Sequence, residues 1–286
     1  SGRIQNGSIT IGGLVALILY VERLVFPTAL LGFTLNTFQL GQVSLDRVEE
    51  LLNRKPLIQD SDHTSRIEEP LSGKLEARNL TIRYEDSSRD ILKGLTFKIN
   101  AGELVAVVGP IGSGKTTLAR AIGRIINIKQ GQLFLDNLDI VNIQLNQLRK
   151  NVALVPQEGF LFTDTLTENL RYGDPNASTK RVETSAIQSR LIDDIKGFPD
   201  GFKTLVGERG ITLSGGQRQR AALARALLIR APLIVLDDAL ASVDNKTAAE
   251  IISSIREQTN STVLLISHQL YAAAACDRIL VIDDGK

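Results

Sequence analysis

Gly109-Pro110-Ile111-Gly112-Ser113-Gly114-Lys115-Thr116-Thr117 is the stretch that decides the fold. Gly109, Gly114, Lys115 and Thr116 fall on the spacing G-x-x-x-x-G-K-[ST]. The residues before it, Glu103 to Val108, form a short Val-rich apolar run that predicts a buried parallel strand. From Thr117 onward, Leu-Ala-Arg-Ala-Ile predicts a helix. A strand, a glycine turn and a helix N-terminus bring free backbone N–H groups and the positive end of a helix dipole to one point, which suits an anion. Lys115 adds a full charge for β- and γ-phosphates, and the Thr116 hydroxyl suits Mg²⁺.

Working outward, 286 residues exceed one typical domain and predict two units. The net charge is +1, with Lys and Arg scattered, so no nucleic-acid partner is expected. The single cysteine, Cys276, follows Ala272 to Ala275 and reads as a small buried apolar residue. One cysteine allows no intrachain disulfide, which fits a reducing compartment. Residues 1–10 lack the cationic start and small-residue cleavage site of a signal peptide. The absence of Met and the ending Asp-Asp-Gly-Lys286 lead us to expect a fragment with a clipped C-terminal end.

Residues 9–40 are the most apolar part of the chain, broken only by Glu22-Arg23. Taken through that break, the segment is long enough to cross a bilayer. The two charges would then face protein or a water-filled interior, and Pro27 would kink the helix. A buried helix of a soluble domain is the alternative. From Asn36 to Asn53, Leu40, Val43, Leu45, Val48, Leu51 and Leu52 recur at helical spacing among polar residues, predicting a water-exposed amphipathic continuation. Arg47, Arg54 and Lys55 would place this end at a cytoplasmic face. Residues 56–74 are polar and turn-rich and read as a linker, with His63 solvated. Residues 75–100 alternate around a polar turn, an antiparallel β pattern.

Further chemistry follows the phosphate loop. Val152 to Pro156 predicts a strand ending at Gln157, where ligands bind in α/β sheets. Ala231-Pro-Leu-Ile-Val-Leu236 predicts a buried strand with Asp237 and Asp238 at its tip. Asp237 is the expected Mg²⁺ ligand, and Asp238 the group that orients or deprotonates a water. Ser261 to Ser267 predicts another strand, placing His268 for a γ-phosphate contact. Leu213-Ser214-Gly215-Gly216-Gln217 precedes a strong helix pattern, with Ser214 as N-cap, and forms a second helix end built for an anion. Two such ends suggest that the second serves a nucleotide on a partner chain.

The phosphate loop, Gln157, Leu213 to Gln217, Leu233 to Asp238 and His268 stand in the order found in ATP-binding cassette (ABC) proteins, which residues 75–286 resemble. Residues 1–55 resemble the last membrane helix and cytoplasmic extension of an exporter subunit that fuses membrane and ATPase domains. The resemblance implies an α/β P-loop NTPase domain with an antiparallel β subdomain and a helical subdomain, preceded by an all-α transmembrane segment. It implies ATP and Mg²⁺ as cofactors. Thr116, Gln157 and Asp237 would lie around the metal, Tyr84 would stack on adenine, and Ser214, Gly215, Gly216 and Gln217 would close over ATP held by a second subunit. It further implies that Thr204 to Gly210 contacts the membrane domain, that Ala241 to Asp244 crosses the dimer interface, and that His268 is a switch on the γ-phosphate. The family's base is Glu, and Asp238 is one methylene shorter. Together with the intact signature, this resembles one subunit of heterodimeric multidrug-type exporters. A heterodimer is therefore expected, with a homodimer as the alternative, and a slow ATP site on this chain. The expected setting is a bacterial inner membrane with the ATPase side in the cytoplasm, a lipid bilayer as partner, and a small apolar or amphipathic cargo. A soluble ABC ATPase and a nucleotide-sensing regulatory subunit are the competing functions.

Overall fold

The computed structural model describes residues 10–61, 64–84, 88–207, 210 and 212–286; His63, Glu208 and Arg209 lie outside them. The chain divides into two compact units, residues 1–57 and 58–286.

Among the described residues, the first unit holds one helix, α1 (Ile11–Asn53), capped by the Thr10 hydroxyl, which accepts from Gly13 N–H at 3.1 Å. At about 1.5 Å per residue its 43 residues reach roughly 65 Å, twice the ~30 Å hydrocarbon thickness of a bilayer. Pro27 lies inside it without ending it. The hydroxyls of Thr28, Thr34 and Thr37 donate to carbonyls four residues earlier at 2.7, 2.8 and 2.9 Å. Polar side chains satisfied within the helix are what an apolar medium demands. By length and composition α1 can cross a membrane.

In the second unit, β1 (Leu75–Ile82) and β2 (Leu92–Ile99) pair antiparallel. The register slips between Ala77 and Leu80, where Asn79 adopts φ 50°. That extra residue is why the apolar spacing widens from two to three there. The strand β3 (Leu104–Val108) leads through the phosphate loop into α2 (Lys115–Ile122). Next come β4 (Leu133–Leu135) and β5 (Leu138–Asp139), joined by Asp136 and Asn137 at φ 49° and 69°, the left-handed pair a two-residue hairpin requires. Then α3 (Leu145–Asn151) leads straight into β6 (Val152–Val155).

A helical region follows, built from α4 (Leu166–Arg171), α5 (Thr179–Gln188) and α6 (Ile192–Ile195), with the small pair β7 (Asp164–Thr165) and β8 (Leu205–Val206). It has its own core of Leu161, Leu166, Leu170, Val182, Leu191 and Leu213 against α7 (Gly215–Ile229). The chain closes with β9 (Leu233–Asp237), α8 (Asn245–Gln258), β10 (Thr262–Ile266), α9 (Leu270–Ala274) and β11 (Arg278–Val281).

The main sheet is parallel in the order β11-β3-β10-β9-β6, and the antiparallel sheet runs β2-β1-β4-β5. Every residue of β9 and β10 is buried, as their unbroken apolar sequences predict. In such a sheet, ligands meet the carboxyl ends of the strands, and the phosphate loop, Gln157, Asp238 and His268 all follow from that edge.

Much of 58–74 is fastened to the second unit. Asp60 accepts from Leu145 N–H at 2.8 Å, and Ser65 bridges to Ile143. Asp136 accepts from the backbone N–H groups of Ser72, Gly73 and Lys74 and from the Ser72 hydroxyl. Burial pushes its carboxyl up, but these hydrogen bonds outweigh it and hold the group below its ordinary value. Asp136→Ala should destabilise this unit by about 2 kcal/mol in denaturant unfolding. A depressed carboxyl stabilises above its unfolded value and loses that contribution as pH falls, so the deficit should shrink below about pH 4.

Candidate nucleotide site

The phosphate loop folds as it does because its glycines occupy backbone that other residues resist. Gly109, Gly112 and Gly114 have φ of 155°, 82° and 103°. A Cβ on Gly109 would lie 2.0 Å from the Ile282 carbonyl, and one on Gly114 2.5 Å from Leu92 Cδ2. The loop is thus pressed between β11's exit and the start of β2. Ile91, which borders Gly114, donates its N–H to the Ile82 carbonyl at 2.8 Å, two residues before Tyr84. Tyr84 is half-buried, and its hydroxyl and ring have no hydrogen-bond or stacking partner among the described residues.

Lys115 is 5 % exposed. Its ammonium donates to the carbonyls of Gly109 at 2.8 Å and Pro110 at 2.7 Å, and to the Ser113 hydroxyl at 3.4 Å. Burial pulls its pKa down, and the charges of Asp238 and Asp237 oppose that. Ser113 and Thr117 are buried beside it, while Ile111 stands 93 % exposed at the loop tip.

Thr116 donates to Asp237 Oδ1 at 3.1 Å, joining α2 to the end of β9. Asp237 is 5 % exposed, and burial pushes its carboxyl above the ordinary range despite the Thr116 hydrogen bond. A buried carboxylate with one hydroxyl partner is an expensive group, several kcal/mol in effective penalty, until a cation neutralises it. The hydroxyl and carboxylate oxygens are the donors a hard divalent ion prefers. The buried ammonium and the open N–H groups of the glycine loop suit phosphate oxygens. The residues present therefore fit a Mg²⁺–nucleoside triphosphate.

Asp238 occupies the left-handed region at φ 51°, with its N–H donated to the Ile266 carbonyl at 2.9 Å. Gln157, exposed just beyond β6, reaches Asp238 Oδ2 with its Nε2 at 3.5 Å. His268, just beyond β10, is exposed, and its imidazole has no hydrogen-bond or ion-pair partner among the described residues. The phosphate loop, Asp237, Asp238, Gln157 and His268 thus all stand at the carboxyl edge of one sheet.

The second helix end is built separately. Ser214 caps α7 through a capping box: its hydroxyl accepts from Gln217 N–H at 3.2 Å, and its own N–H donates to Gln217 Oε1 at 2.9 Å. Gln217 Nε2 also reaches Asp194, which is paired with Arg220 at 2.7 Å. A Cβ on Gly216 would meet the Ser242 carbonyl at 2.8 Å, so Gly215 and Gly216 let the Ala241–Asp244 turn lie against the helix end. No hydrogen bond joins Ser214, Gly215, Gly216 or Gln217 to this chain's phosphate loop among the described residues.

The sequence reading missed two residues. Gln219 is 6 % exposed and bonds both Ser242 N–H and the Gln157 carbonyl. Gln269 accepts from the Tyr271 hydroxyl at 2.6 Å and gives its backbone N–H to the Ser267 hydroxyl at 3.0 Å. The available signal was Gln219 itself, an uncharged polar residue on the otherwise Ala- and Leu-rich face of α7.

The comparisons agree with this geometry. The ABC transporter family profile matches residues 92–241. The multidrug resistance-like ATP-binding protein MdlA of Buchnera aphidicola subsp. Baizongia pistaciae is 36 % identical over 285 residues, covering 99 % of this chain and 49 % of that protein. The ATP-dependent lipid A-core flippase of Aromatoleum aromaticum is 38 % identical over 286 residues, covering 98 % and 47 %. The structure of a bacterial Atm1-family ABC exporter with ATP bound superposes with a TM-score of 0.83 at 34 % identity, covering 97 % of this chain and 48 % of that one. The chain spans about half the length of these relatives. The profile match over residues 92–241, more than half of the sequence, shows that the chain belongs to the ABC transporter family.

Proposed function

We propose that this chain is the ATP-binding and hydrolysing part of an ABC exporter subunit that works in a dimer and drives an apolar or amphipathic cargo across a bacterial inner membrane. The observation that carries the ATP assignment is the Thr116–Asp237 pair beside the buried Lys115 ammonium. The exporter assignment rests on α1 and on the relatives' names, one a multidrug resistance-like protein and one a lipid A-core flippase.

Lys115 and the loop N–H groups hold the β- and γ-phosphates, and the lysine exchanges its loop carbonyls for phosphate oxygens. Thr116 and Asp237 would hold Mg²⁺, with Gln157 beside it, and the ion supplies charge neutralisation on the terminal phosphoryl group. Asp238 orients the attacking water and accepts its proton. His268 contacts the γ-phosphate, and Tyr84 stacks on the adenine. Ser214 to Gln217 present their helix end to ATP held by the second subunit, and binding and release switch the pair between closed and open arrangements.

Asp238 is one methylene shorter than glutamate and draws its carboxylate back from the water, so this site binds ATP more readily than it cleaves it. With the signature intact, the partner's site is the fast one, which favours a heterodimer. Asp238 also supports a second reading, a nucleotide-sensing subunit without transport. Transport into vesicles by the full-length pair separates the two.

Three outcomes are expected. Lys115→Ala should abolish nucleotide binding, read by a fluorescent ATP analogue. Asp238→Glu should raise turnover of the full-length pair at least tenfold when the partner's own base is removed, since a misplacement of about 1 Å costs on the order of 10²-fold; no change would reject the slow-site assignment. Asp237 supplies a pH test. Its carboxyl is raised in the folded state, so in the metal-free protein this group's contribution to stability is full below the unfolded value of about 3.9 and is lost as pH rises through the folded one. Asp237→Asn should therefore melt above the parent at neutral pH without Mg²⁺ and gain nothing from added Mg²⁺. A melting point equal to or below the parent's would count against the burial argument.

A further inference from the structure

Gln219 lies one turn into α7 with both ends of its amide engaged. Its Oε1 accepts from Ser242 N–H at 2.8 Å, and its Nε2 donates to the Gln157 carbonyl at 3.4 Å. One buried side chain thus ties together three segments far apart in sequence: the Gln157 segment, the signature helix and the Ala241–Asp244 turn. The turn is also the direct continuation of Asp238, since Ala241 N–H donates to the Asp238 carbonyl at 3.1 Å. On its other side, Gln269 Nε2 reaches the Ala241 carbonyl at 3.5 Å.

We propose that Gln219 is a positioning residue that couples the Asp238–Gln157 geometry of this chain's own site to the 241–244 turn and the signature helix, so that the three move as one piece. The proposal rests on the roles given above to Asp238 and Gln157 and adds the element that holds them in register. Ser242 is the meeting point: its N–H is held by Gln219 while its carbonyl closes on Gly216. A polar side chain buried to this degree must have partners, and Gln219 finds them on the Gln157 backbone and on the 241–244 turn. Without it, the side-chain link left between the two loops among the described residues is the long 3.5 Å contact from Gln157 Nε2 to Asp238 Oδ2, and Ser242 loses its tie to the signature helix.

The test uses the full-length subunit assembled with its partner in liposomes. Gln219→Met keeps the volume and removes both hydrogen bonds. We expect amide exchange across 241–244 to quicken about tenfold while β9 stays protected. With the partner's own base removed, so that this chain's site is the one read, turnover should fall about tenfold with KM for ATP within about twofold, as a positioning loss acts on the chemical step. Gln219→Glu keeps the acceptor for Ser242 and should restore the slow exchange of the turn while the Gln157 side stays uncoupled. If Gln219→Met does not fold, Gln219→Asn, which is too short to reach Ser242, replaces it with the same expectation. Unchanged exchange at 241–244, or a fall in turnover matched by equal losses in ATP affinity and melting temperature, overturns the proposal. Exchange reads the coupling without hydrolysis, so a wild-type pair lacking ATPase activity would reject the hydrolytic reading and leave this measurement decisive on its own.

Discussion

A carboxylate at the end of a fully buried strand must find a partner or a cation, and Asp237 is in that position. Only 5 % of it is exposed, and the neighbouring Asp238 raises its cost further. The Thr116 hydroxyl is its one side-chain hydrogen-bond partner among the described residues, and the glycine loop that turns the chain from β3 into α2 brings that hydroxyl there. The loop in turn holds its shape through Lys115, whose ammonium is tied to the loop's own carbonyls. Loop, lysine, threonine and carboxylate form one closed set of dependencies, each buried group justified by the next. A ligand carrying both negative oxygens and a divalent cation satisfies the set at once.

The chemistry and the contact surfaces are arranged differently. The residues assigned to this chain's own nucleotide lie at the tips of β3, β6, β9 and β10, strands whose spacing is fixed by parallel hydrogen bonding. The signature end of α7 belongs instead to the helical region with its separate core. α7 itself joins the two: Ala221, Ala224 and Leu228 lie in the helical region's core, while Ala222, Leu223, Ala226 and Leu227 pack with Ala153, Val155, Ile234 and Leu236 of the sheet. Side-chain amides add polar ties at the helix's start, through Ser242 and the Gln157 carbonyl.

How much of this was legible depended on the kind of force involved. β3, β9 up to Asp237 and β10 after Thr262 are apolar runs, because both faces of an internal parallel strand are buried, and they read directly from sequence. The phosphate loop was legible because its glycines are dictated by backbone angle and close approach rather than by preference. β11 went unseen: as an edge strand with Ile279 47 % and Val281 68 % exposed, it carries no burial pattern to detect. β7 and β8, two residues each, are too short for any period to appear. The bridging of Gln219 and the left-handed backbone of Asp238 come from tertiary contacts with residues distant in sequence, and spacing alone holds no trace of them.

The fastening of residues 58–74 ties the start of the second unit to one of its own site segments. Asp60 holds the first backbone N–H of α3, and α3 continues in sequence into β6, just beyond which Gln157 stands beside Asp238. Asp60 and Gln157 thus flank one continuous helix-then-strand segment, joined to the chain's earlier part ahead of the first sheet strand at Leu75.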